Sequence, residues 1–80
     1  MKIEVLGTGC IRCNTAEAMV KEAVARRGLE AEVVKVSDRL EIAKHGVKMT
    51  PAIIINGQVK SVGLIPEVED VLTWFDEMNI

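Results

Sequence analysis

Gly7-Thr8-Gly9-Cys10-Ile11-Arg12-Cys13 is the stretch on which the reading of this chain turns, because it joins two patterns of different period. Before it, Lys2 to Leu6 is a short run rich in branched residues, which predicts a buried strand ended by the Gly7-Thr8-Gly9 turn. After it, Ala16, Met19, Val20, Ala23 and Val24 fall on one face of a helix that Gly28 stops. The two cysteines therefore sit where a strand hands over to the start of a helix.

That position matters for sulfur chemistry. The thiolate is the reacting form, and an ordinary cysteine is mostly protonated at neutral pH. At the start of a helix, unpaired backbone N–H groups and the positive end of the dipole stabilise an anion. Arg12 adds a fixed positive charge close by and is the candidate thiolate-stabilising residue. Cys10 precedes the helix proper and can face solvent, so it is the expected attacking thiol. Cys13 lies about one turn further in and is better placed to resolve a mixed disulfide. A C-x-x-C beside a βαβ pattern thus points to dithiol–disulfide exchange. The redox group would be the Cys10–Cys13 disulfide itself, with no bound cofactor.

Further along, Ala31 to Val36 reads as a second, mostly buried strand carrying Val33, Val34 and Val36. Asp38 offers a helix cap with Glu41 three residues on, opening a short helix through Leu40 and Ala43 that ends at Gly46. Ala52 to Ile55 is a third strand, and Asn56-Gly57 is a hairpin turn into Gln58 to Val62. Pro66 suits a first helical position, with Glu67, Glu69 and Asp70 in the first turn and Val68, Val71, Leu72 and Phe75 facing inward. The expected order is β-α-β-α-β-β-α. It is an α/β fold with a four-stranded mixed sheet, parallel in its first pair and antiparallel in its last. Residues 1–80 form one domain, without repeats or linkers.

Composition narrows the possible functions. Apolar residues make up 49% of the chain, enough for a compact core, and only Trp74 and Phe75 are aromatic. A formal net charge of −2 gives no electrostatic footprint for nucleic acid. Arg26 and Arg27 close a helical pattern, where they complement the dipole. Met1-Lys2 leads straight into the first strand, with no apolar leader and no run long enough to cross a bilayer. The expected setting is therefore the cytoplasm, away from membranes, and nothing demands more than a monomer. Two cysteines in such a setting do not make a disulfide scaffold.

Taken together, the cysteine stretch, Met49-Thr50-Pro51 before the third strand, and Asn56-Gly57 followed by Val62-Gly63 resemble the thioredoxin/glutaredoxin superfamily over the full length. The likeness is greatest to its minimal members, the small glutaredoxin-like thioredoxins of archaea and bacteria. The resemblance implies a minimal thioredoxin-like fold and a disulfide oxidoreductase acting on disulfide-containing proteins, regenerated by a thioredoxin-reductase-type electron donor. It also implies that Pro51 is cis and faces the cysteines, that Thr50 offers its backbone to substrate, and that Gly63 lies beside the substrate groove. Glu4, six residues before Cys10, holds the offset of the family's buried acid and is a possible proton acceptor for Cys13. A glutamate at a strand end with its carboxylate in water competes with that role. The Ile11-Arg12 spacer departs from the Gly-Pro of thioredoxins and the Pro-Tyr of glutaredoxins, and no tryptophan precedes Cys10.

The same cysteines admit two other readings. A soft-metal module for Cu(I) or Zn also places C-x-x-C between a first strand and first helix. Such modules run β-α-β-β-α-β and end on a strand, whereas this chain ends on a helix and carries Thr50-Pro51. A structural zinc site needs four ligands, and beyond the cysteines only His45 is an obvious addition, so no metal site is assigned. The third reading, two ordinary buried cysteines in a binding domain, leaves their spacing and position unexplained.

Overall fold

The structure is a computed structural model that describes all 80 residues. Four strands, β1 (Lys2–Leu6), β2 (Glu32–Val36), β3 (Ala52–Ile55) and β4 (Gln58–Val62), form one sheet. Three helices, α1 (Ile11–Arg27), α2 (Arg39–Lys44) and α3 (Val68–Glu77), complete the order β-α-β-α-β-β-α. The sheet runs β2-β1-β3-β4. The β1–β2 pair is parallel, and the β1–β3 and β3–β4 pairs are antiparallel. This is the mixed four-stranded α/β fold that the sequence predicts.

Alternation along β1 divides the molecule into two layers of packing. Ile3 and Val5 join Ala16, Val20 and Ala23 of α1, Ile53 and Ile55 of β3, and Val71 and Phe75 of α3 in the main core. Leu6 turns to the other face, with Ile42 of α2, Ala52 and Ile54. Every residue of β3 is buried, because it is a central strand with a core on each side. Full burial of a side chain such as Phe75 contributes about 3 kcal/mol relative to exposure.

Three sequence expectations need correction. β2 is only half-buried from Val33 to Val36, because it lies at the sheet edge and α1 covers one of its faces. Pro66 stands before the last helix rather than in its first turn, since Glu67 takes the cap and the Asp70 carboxylate accepts its N–H at 2.9 Å. Asp38 does cap α2, accepting the Leu40 N–H at 2.8 Å, but Glu41 turns outward to Lys44 at 3.1 Å instead of closing a capping box.

The topology brings four chain segments to one end of the sheet. The C-terminal ends of β1 and β2 lie there, with the start of β3 and the end of β4 beside them. The loops at that end carry Gly7 to Cys10, Met49 to Pro51, and Gly63 to Pro66.

Candidate active site

Helix α1 begins on a sulfur. Cys10 is its N-cap, in an extended conformation, and its Sγ accepts the Cys13 N–H at 3.3 Å. Its carbonyl accepts the Asn14 N–H at 3.0 Å, which starts the helical ladder. Cap positions favour Ser, Thr, Asp and Asn because a side-chain oxygen satisfies the orphan N–H groups, and here a thiol does that work. No acidic residue occupies the first turn, so no carboxylate competes for those donors.

Three residues on, the helical turn carries Cys13 inward. Cys10 is exposed and Cys13 is fully buried, with the two sulfurs 2.9 Å apart. Their ionisation is pushed in opposite directions. Cys10 is held below the ordinary thiol range, chiefly by the Cys13 thiol donating to it, then by the Cys13 backbone N–H. Burial pushes Cys13 up, and the Cys10 thiol and its negative charge add to the rise. The geometry thus sets one ionisable sulfur at the surface and one protonated sulfur behind it.

Arg12 acts on Cys10 through its backbone N–H, which also favours the thiolate. Its guanidinium crosses the site and donates to the Gly63 carbonyl at 2.8 Å. The charge that the sequence placed beside Cys10 therefore ties the α1 N-terminus to the loop after β4. Gly63 has φ of 78°, a conformation suited to glycine, and its N–H donates to the Pro51 carbonyl at 2.8 Å. A Cβ there would lie 3.1 Å from the Cβ of Met49. The Thr50–Pro51 bond is cis, Pro51 is fully buried, and Thr50 offsets a small part of the rise at Cys13. Cys10, Arg12, Cys13, Thr50, Pro51 and Gly63 are thus brought together.

Glu4 is placed differently. Its side chain is 16% exposed and points to the α2 face of the sheet, where His45 Nε2 lies 3.2 Å from its Oε2. The carboxylate is therefore neither in open water nor bonded to a cysteine. His45, the α2 C-cap, stays exposed at the helix end while its ring meets that carboxylate. The six-residue length of α2 brings its last turn over the middle of β1. No three side chains among His, Cys, Asp and Glu gather as a metal site.

Gly7 is the functional residue that sequence reasoning passed over as part of a turn. A Cβ on Gly7 would lie 2.6 Å from the Cys13 Cβ and would also collide with its sulfur. Gly7 therefore makes room for the buried thiol. No sequence pattern marks it, because the turn-type glycine of that loop, with φ of 86°, is Gly9.

Comparison with known proteins agrees with this arrangement. The Thioredoxin domain family matches residues 1–76. The chain is 32% identical over 71 residues to a thioredoxin of Methanothermobacter thermautotrophicus, covering 89% of this chain and 92% of the relative. It is 42% identical over 69 residues to a thioredoxin of Methanocaldococcus jannaschii, covering 86% and 79%. An uncharacterized 9.0 kDa protein from the mobE 3′ region of Acidithiobacillus ferrooxidans is 36% identical over 64 residues, covering 75% and 73%. With its fold, its cysteine pair and these relatives, the chain belongs to the thioredoxin domain family and is a small thioredoxin-like protein of the thiol–disulfide oxidoreductase type.

Proposed function

We propose that the protein is a protein-disulfide reductase in which Cys10 attacks and Cys13 resolves. The Cys10 thiolate attacks one sulfur of a substrate disulfide, forming a mixed disulfide and releasing one substrate thiolate. Cys13 then attacks Cys10 Sγ, which frees the second substrate thiolate and leaves a Cys10–Cys13 disulfide. The proton that Cys13 loses goes to a departing substrate sulfur. Two electrons have passed from the dithiol to the substrate. A thioredoxin-reductase-type donor returns two electrons and restores the pair. In this reading Thr50 offers its backbone to an extended substrate chain, Gly63 lets that chain approach closely because it has no side chain, and Pro51 is the wall of the groove.

The observation that carries the proposal is the pairing of an exposed, helix-capping Cys10 with a buried Cys13, 2.9 Å away and shifted in the opposite direction. No helix of the protein is long and apolar enough to cross a membrane. The proposed setting is a cytoplasmic thiol pool, with the protein acting as a monomer.

Turnover of a protein disulfide such as that of insulin, with a chemical dithiol as donor, tests the scheme. Cys10→Ser should abolish turnover. Cys13→Ser should stop after one step and accumulate mixed disulfides on Cys10. Turnover that survives loss of Cys10 would refute the proposal.

A further inference from the structure

The Gly63 side of the cysteine pair is already filled by the chain's own atoms. Gly63 is buried, and both of its backbone polar groups are engaged. Its N–H donates to the Pro51 carbonyl at 2.8 Å, and its carbonyl accepts an Arg12 guanidinium N–H at 2.8 Å. Its α-carbon is covered as well. The side-chain position that glycine leaves empty lies 3.1 Å from both Cβ and Cε of Met49 and 3.4 Å from its Sδ. Two side chains from other segments therefore occupy the surface that a close-lying chain would need. Arg12 comes from the first turn of α1, and Met49 from the loop before β3.

These two side chains differ from the wall behind them. Pro51 and Gly63 are buried and joined by a backbone hydrogen bond, so they are fixed. Met49 is 60% exposed and Arg12 is exposed, so packing locks neither. Methionine has an unbranched, adaptable stem, and a surface arginine keeps many rotamers. Arg12 favours the Cys10 thiolate through its backbone N–H, while its guanidinium goes to Gly63.

We propose that Arg12 and Met49 form a lid over Gly63 that sets substrate preference. An extended polypeptide must displace both side chains, whereas a small disulfide reaches the exposed Cys10 without doing so. Arg12 is the polar latch, holding the carbonyl by a charge-assisted hydrogen bond, and Met49 is the apolar cover. The lid rests on the disulfide exchange proposed for Cys10 and adds to it a handicap against extended chains.

Two neutral disulfides separate the cases. One is dithiodipyridine, a small molecule. The other is a pair of capped, uncharged linear peptides joined through one central cysteine, which must lie along Gly63. In Arg12→Ala the KM for the peptide disulfide should fall roughly tenfold, as loss of one charge-assisted hydrogen bond would give. Its kcat and the turnover of dithiodipyridine should change far less. Met49→Ala should lower the same KM by a smaller factor. Arg12→Lys keeps a donor on a long stem and should restore most of the wild-type KM. Side chains that merely supported the wall would raise the KM when removed.

Binding is read without chemistry in the Cys10→Ser, Cys13→Ser double variant, by anisotropy of the labelled peptide. Adding Arg12→Ala should tighten that binding by a similar factor. Peptide binding that is unchanged, weaker or unmeasurable without Arg12 overturns the proposal. So does an equal change for both disulfides, which a charge acting on Cys10 would produce. If the wild type turned over neither disulfide while binding still tightened, the exchange reading would fall and the lid would stand. Turnover of both with no difference among the variants would do the reverse.

Discussion

At its C-terminal end α1 is sealed. Gly28 takes a left-handed φ of 64°, and the N–H groups of Gly28 and Leu29 donate to the carbonyls of Ala25 and Val24, both at 3.1 Å. Arg27 reaches Asp76 and the Ile80 carbonyl, and Arg26 reaches Glu22 and Glu69, so the helix end is strapped to α3. At its N-terminal end the same helix is left open. The cap is a thiol, the first turn has no acid, and the first residue, Ile11, is the most exposed of the large apolar side chains. α3 shows what the conventional solution looks like, with the Asp70 carboxylate accepting the Glu67 N–H. The start of α1 gives up that stabilisation and keeps its N–H groups for sulfur. Stability and reactivity are thus assigned to opposite ends of one element.

Gly7 is where the open end is most sensitive. Gly7→Ala pushes a methyl into the Cys13 side chain, which is fully buried. Overpacking of this kind costs about 1–3 kcal/mol. Denaturant unfolding should therefore show a clearly lower midpoint, with the spacing of the two sulfurs disturbed and disulfide formation slowed. An unchanged midpoint and an unchanged rate of closure would mean that Gly7 is only a turn residue.

A smaller loss is expected at the sealed end. Gly28→Ala forces an alanine into the left-handed region, which costs about 1 kcal/mol. Urea unfolding should register that loss, while Cys10 alkylation at a fixed pH should stay the same. If alkylation changed as well, the two ends of α1 would not be independent, and the division of roles would fail.

Most of the fold is legible in the sequence because its signals are local. The change from the branched run of Lys2 to Leu6 to the helical spacing of Ala16, Val20 and Ala23 is one, and the Asn56-Gly57 turn is another. What the sequence misses depends on where distant segments meet. β2 reads as buried because three valines cannot announce that their strand will sit at an edge. Pro66 reads as a first helical residue because the Asp70 bond to Glu67 is made only by the folded turn. In the site, both sulfurs and the Thr50-Pro51 segment carry a local signature. The Arg12 bond to the Gly63 carbonyl spans 51 positions, and the Glu4–His45 pair needs α2 folded back over β1. Gly7 is invisible for a further reason, since its role is the absence of a side chain where another must pack.

The smallest effect is the most direct probe of the open end. Cys10 is held low, so its contribution to stability is present above the unfolded-state pKa and lost as pH falls through the native one. Cys13 is pushed up, so its contribution is complete below the unfolded-state pKa and lost as pH rises through the native one. The two trends oppose each other, which makes reactivity a better readout than unfolding. The rate of Cys10 alkylation should rise with pH through an inflection below that of a free cysteine. In Cys13→Ala the thiol donor is gone and the backbone N–H remains, so the inflection should move up without reaching the free value. Cys13→Ser restores a donor, and its inflection should fall below that of the alanine variant. If both variants kept the wild-type inflection, the Cys13 thiol would not be the leading influence on Cys10. The helix terminus alone would then set its reactivity.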